Sequence, residues 1–203
     1  GNFVIKDGDQ RYQMLWQPSN SFFGVGRNNN DSNLTWGKNE GAIVLGDYQQ
    51  VSANYATILG GKEHSIDTGS LYATIVGGQG NKIESNAMYS GIFSGKSSTI
   101  SAGANDSVII GGGNGASIGA SHAIILGGVD NSIGVNAAYS VAMGHGSKVN
   151  HEGVFMFSDS RDIQHNSVSP NQFLIFAENG VGIGTNNIFN TTKNTDKDGN
   201  KIS

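Results

Sequence analysis

The sequence contains no cysteine and only two prolines in 203 residues. Without thiols there is neither a disulfide framework nor a thiolate metal site. Two prolines are too few for a collagen-like helix. Charge is sparse as well, at 14% of residues, with a net charge of −4 and no run of Lys or Arg. That balance argues against a nucleic-acid partner. No stretch approaches the roughly 20 apolar residues of a membrane helix, and residues 1–20 do not have the pattern of a signal peptide. Apolar residues reach 36%, low for an ordinary globular core, whereas glycine is abundant at 31 residues. This composition suits a thin, repetitive, elongated fold built around small side chains.

The glycines are phased. From residue 41 to about 158 one pattern returns eight times, as in Tyr55-Ala56-Thr57-Ile58-Leu59-Gly60, Tyr72-Ala73-Thr74-Ile75-Val76-Gly77 and Tyr139-Ser140-Val141-Ala142-Met143-Gly144. Its first position falls at Gly41, Tyr55, Tyr72, Tyr89, Asp106, His122, Tyr139 and Gly153, at intervals of 14, 17, 17, 17, 16, 17 and 14. A second apolar anchor follows at Val51, Ile66, Ile83, Ile100, Ile118, Ile133 and Val149. Such phasing is the signature of stacked repeats.

Repeats of this length have room for two short strands and two turns, not for a helical hairpin. The runs are rich in Ile and Val and end in Gly, which favours strands. Asn, Ser, Asp and Gly clusters such as 79–82 and 113–116 supply the turns. The fold class expected is therefore all-β, a parallel β-roll or β-helix solenoid whose second-anchor residues stack into an apolar ladder. Doubled glycines at 60–61, 77–78 and 127–128 fit corners that turn tightly or bring backbones close together. Each first strand is apolar at neighbouring positions, as in Ala123-Ile124-Ile125-Leu126, so both of its faces need cover. Other copies of the chain can cover the outer face along the whole stack, and a homotrimer closes such an arrangement.

The flanks depart from the repeat. Residues 1–40 read as short strands at 3–6, 11–16 and 21–26, and with Leu34-Thr35-Trp36-Gly37 they predict an N-terminal β cap or atypical first coil. The last coil, 153–158, carries Phe155 and Phe157 where Ile and Leu stood, which predicts a column that widens or is plugged there. Residues 159–185 read as a polar connection and a β-hairpin of 172–177 with 181–185. Residues 186–203 read as a polar tail or linker.

The eight phased copies resemble the head repeats of YadA-like trimeric autotransporter adhesins. That resemblance implies a trimer of left-handed parallel β-rolls that binds host matrix proteins or cell surfaces. Most repeats here are longer than the roughly 14 residues usual in that family, so the turns are longer. The C-terminal stretch Phe155-Met156-Phe157-Ser158-Asp159, Asn171-Gln172-Phe173-Leu174-Ile175 and Gly180-Val181-Gly182-Ile183-Gly184-Thr185 is similar to phage and viral tail-fibre proteins. Some of those carry a self-cleaving intramolecular chaperone. This second resemblance implies that Ser203 is a processing end and that the chain sits on a virion or bacterial surface.

Several residues could carry recognition or chemistry. Tyr55, Tyr72, Tyr89, His122 and Tyr139 form either an aromatic platform for sugars or a partner, or a structural stack. Trp16 and Trp36 are candidate binding residues, or they cap the end of the apolar column. His145, His151 and Glu152 flank one turn, as metal ligands or as a solvated corner. Glu63, Asp67, Glu84, Asp130, Asp159 and Asp162 are the carboxylates available for glycosidic acid/base work, which needs two at a fixed separation. Gly111-Gly112-Gly113-Asn114-Gly115 is not a phosphate loop, because no Gly-Lys-Ser/Thr follows. The expected function is attachment to a host glycan or protein, without a cofactor, metal or nucleic acid. The rival expectations are a polysaccharide-degrading fibre enzyme and a purely structural spacer.

Overall fold

Each glycine-ended apolar run forms a short strand that pairs in parallel with its counterpart in the next coil. In the computed structural model, which describes residues 1–8, 12–27 and 38–182, the chain begins with an antiparallel meander. Its strands are β1 (Phe3–Lys6), β2 (Tyr12–Gln17) and β3 (Phe22–Arg27). The first full coil follows as β4 (Ile43–Asp47) and β5 (Gln50–Val51). The same two-strand unit repeats as β6 (Thr57–Lys62) and β7 (Ser65–Ile66), β8 (Thr74–Ile75) and β9 (Lys82–Ile83), and β10 (Gly91–Gly95) and β11 (Thr99–Ile100). It continues as β12 (Val108–Gly112) and β13 (Ser117–Ile118), β14 (Ile124–Val129) and β15 (Ser132–Ile133), β16 (Val141–His145) and β17 (Ser147–Val149), and β18 (Phe155–Ser158) and β19 (His165–Asn166). Strand β20 (Phe173–Phe176) lies parallel to β18 as a further rung. The result is a two-walled β-solenoid of eight coils: one wall is a 12-stranded sheet from β1 to β20, the other an 8-stranded sheet from β5 to β19.

The core is two facing columns. Val44, Ile58, Ile75, Ile92, Ile109, Ile125, Ala142 and Met156 project inward from the long sheet, and all are fully buried. Opposite them stand the second anchors Val51, Ile66, Ile83, Ile100, Ile118, Ile133 and Val149, as the periodicity predicts. Burying each isoleucine contributes about 2 kcal/mol. Phe22 is buried and Leu15 partly buried against the N-terminal end of this core.

Coil length varies at the corners and leaves the walls intact. Leu45 and Asp47 align with Leu59 and Lys62, so the longer coil absorbs one extra glycine in a bulge. A buried polar ladder closes this corner. His64 N–H donates to Gln49 Oε1 (2.9 Å), Asn81 N–H to His64 Nδ1 (3.0 Å) and Ser98 N–H to Asn81 Oδ1 (3.0 Å). The ladder resumes higher up, where Ser147 N–H donates to Asn131 Oδ1 (2.9 Å). Each such side chain takes a backbone donor that the tight corner would otherwise leave unpaired.

One expectation at the C-terminal end changes. Phe155 and Phe157 align with Val141 and Met143 on the outer face while Met156 fills the inner position, so the aromatics neither widen nor plug the column. The stretch expected as the first half of a hairpin is β20, paired in parallel with β18. Most of the other half, from residue 183, lies outside the described residues, as do Trp36 and Ser203.

Candidate functional site: an apolar wall and an aromatic edge

The outer faces of the two walls differ in chemistry. On the short sheet the outward positions are Gln50, Ser65, Lys82, Thr99, Ser117, Ser132, Lys148 and Asn166, polar without exception. The long sheet turns an apolar face outward. Leu59, Phe93, Ile110 and Leu126 stand in one row, each between 39% and 49% exposed. Phe23, Ile43, Val108, Ile124, Val141, Phe155 and Phe173 belong to a second row, which Thr57, Thr74 and Gly91 interrupt in its middle. Trp16 pairs with Phe23 and Phe3 in that second row and is half exposed. It therefore extends the apolar wall; Leu15 is the β2 residue that turns toward the core.

The aromatic candidates occupy one edge, where the chain turns from the short sheet into the long one. Tyr55, Tyr72, Tyr89, Asp106, His122 and Tyr139 all adopt left-handed backbone conformations, with φ between +55° and +61°. They sit in the turn before each strand. The N–H groups of Tyr89, Asp106, His122 and Tyr139 donate to the carbonyls of Leu71, Met88, Asn105 and Ser121 in the coil below. A left-handed non-glycine residue costs about 1–2 kcal/mol, which ring stacking of about 0.5–1.5 kcal/mol per pair offsets in large part. Tyr55 and Tyr72 stack at 5.1 Å and 9°, Tyr72 and Tyr89 at 5.1 Å and 6°, and His122 and Tyr139 at 4.9 Å and 9°. Asp106 divides the two stacks and lies 3.8 Å from His122.

The acidic and histidine candidates do not converge. Glu63 sits at the corner before β7, paired with Lys62 (3.0 Å) and accepting from Gln79 (3.3 Å). Glu84 follows β9 at the far end of that wall and shares Lys82 with Asp67, each at 3.3 Å. Asp130 is an exposed corner residue whose carbonyl accepts from Lys148. Arg161 and then the Glu178 N–H hold the Asp159 carboxyl down at about 2. A shallow depression of about 350 Å3 over Gly128, Gly144 and Phe157 has Asp159 as the one carboxylate in its lining. His145 faces Asp162 (3.5 Å) from the corner before β17, whereas His151 follows β17 and faces Ser167 (2.8 Å). Among the described residues no three His, Asp or Glu side chains are grouped to hold a metal.

Two features escaped the reading of the sequence. The buried ladder of Gln49, His64, Asn81, Ser98, Asn131 and Ser147 has mixed residue types, and its only signal is a fixed offset before each second anchor. The break at Asp106 was visible, but its meaning depends on knowing that the rings above and below stack face to face. Comparison with family models, with curated proteins and with solved structures gives no match to this chain.

Proposed function

We propose that this chain is a segment of an elongated homotrimeric surface fibre or adhesin that attaches a virion or bacterial cell to a host glycan or protein. The observation that carries the reading is the contrast between a polar short wall and an apolar long wall. Twelve strands about 4.8 Å apart make the apolar stripe roughly 50 Å long, and continuous exposed apolar patches mark interaction surfaces. Three copies can meet along an axis parallel to the stack and cover one another's wall. Rigid coils then hold the turns outward, and three copies supply avidity toward a repeated ligand. The resemblance of the tyrosine-led repeats to adhesin heads supports the surface location and the attachment role.

The test incubates the purified chain with host-surface polysaccharides and follows retention and fragment masses together. Retention without fragments is expected. New fragments would replace attachment by an enzyme, and the absence of retention on any host surface would leave only a structural spacer.

A further inference from the structure

Resting on that attachment reading, the aromatic edge narrows to one place where a sugar can bind. A pyranose recognised by an aromatic side chain lays its C–H face on the ring face. Within the lower stack those faces are already occupied, because Tyr72 is covered by a parallel ring on each side. Tyr55 leans over Gly41, against which a Cβ would collide with the ring. Exposure rises along the ladder from 39% at Tyr55 through 48% at Tyr72 to 58% at Tyr89. Asp106 takes the rung between Tyr89 and His122, and its short side chain lies 3.8 Å from the His122 ring nitrogen. At about 5 Å per rung the two rings stand about 10 Å apart, room for one pyranose ring and not two. At the next gap, Gly153, the Asn171 carboxamide leans into the space above Tyr139.

We propose that the notch between Tyr89 and His122, floored by Asp106, is a subsite for one uncharged, hydroxyl-rich pyranose of a surface polysaccharide. Tyr89 and His122 pack against its two faces. The Asp106 carboxylate is an acceptor and is half exposed, so it takes a hydrogen bond from a sugar hydroxyl and repels acidic sugars.

The experiment titrates the full chain with the methyl glycosides of glucose, galactose and N-acetylglucosamine, and with methyl glucuronide, while following the aromatic NMR resonances. At least one neutral glycoside is expected to shift Tyr89 and His122 but not Tyr72, with the glucuronide at least tenfold weaker. Asp106→Tyr fills the notch with a ring that completes the stack. It is expected to weaken sugar binding at least tenfold while the thermal midpoint stays equal or rises, which separates loss of the site from loss of the fold. Absence of shifts with every neutral glycoside, equal binding of the glucuronide, or undiminished binding by Asp106→Tyr overturns the subsite. If Asp106→Tyr is retained on host polysaccharide as well as the unaltered chain, the subsite falls and attachment stands. If the glycosides bind at the notch but no host surface retains the chain, the subsite stands and attachment falls.

Discussion

The doubled glycines offer a stringent test of the packing, because two neighbouring residues of one type have different reasons to be glycine. Gly127 and Gly128 have φ of +65° and +85°. A Cβ on Gly127 would have no heavy atom nearer than 3.9 Å, so Gly127→Ala costs only the left-handed conformation, about 1–2 kcal/mol. A Cβ on Gly128 would fall far inside van der Waals contact with the Gly144 carbonyl oxygen, which is backbone of the next coil and cannot swing aside. It would also lie 2.8 Å from Asn131 Nδ2, which donates to Gly127 O (3.0 Å) and Gly144 O (2.8 Å). Pushing the rungs apart breaks these bonds at a half-buried corner, at about 1–3 kcal/mol for each polar group left unsatisfied. Gly128→Ala should therefore lose about 4 kcal/mol or more in total. Urea unfolding followed by circular dichroism measures both variants. Equal losses at the two positions would refute the close-approach reasoning.

Ile100 is fully buried in the second-anchor column, so Ile100→Ala should lose about 2–5 kcal/mol, whereas Val135→Ala, at a position 75% exposed, should change stability by about 0.5 kcal/mol or less; the same unfolding experiment compares them. His64 should make stability depend on pH. It is buried, its Nδ1 accepts from the Asn81 N–H, its Nε2 faces the Gly78 carbonyl without a full hydrogen bond, and burial lowers its pKa below the ordinary value. The unfolded chain then takes up a proton before the folded one does, so this contribution is whole above about pH 6.5 and declines as pH falls toward the folded pKa. Unfolding measured from pH 7.5 down to 5 (about 0.5-unit steps) should show the decline in the unaltered chain and a weaker one in His64→Gln; identical profiles would remove His64 as the cause.

Much of the solenoid was legible because its physics is local and repeated. A parallel ladder places identical positions of successive coils above one another, so Ile66, Ile83, Ile100, Ile118 and Ile133 announce their column by spacing alone. The alternation within Ala123-Ile124-Ile125-Leu126 is apolar on both faces, and the structure places Ile125 inside and Leu126 outside. Gln172-Phe173-Leu174-Ile175-Phe176 before a Gly turn has the local pattern of a hairpin, and its choice of β18 as partner depends on the open rung that the preceding coil presents. The tyrosines illustrate a second limit. Propensity places a positive φ at Gly or Asn, and Tyr55 and Tyr89 adopt it because a ring stack and a rung hydrogen bond offset the strain. Carboxylates that looked available as a set, Glu63, Glu84 and Asp159, are assigned separate cationic partners by the turns that carry them.

The apolar wall is tested most directly by the molar mass of the chain in solution, measured by sedimentation equilibrium at micromolar concentration together with Ile110→Lys. The unaltered chain should have three times the 21.2 kDa of one copy, and Ile110→Lys, which places a charge in the middle of the outer row, should shift the mass toward one copy while the circular dichroism of the coils persists. A single-copy mass for the unaltered chain would contradict the assignment of this wall to self-association.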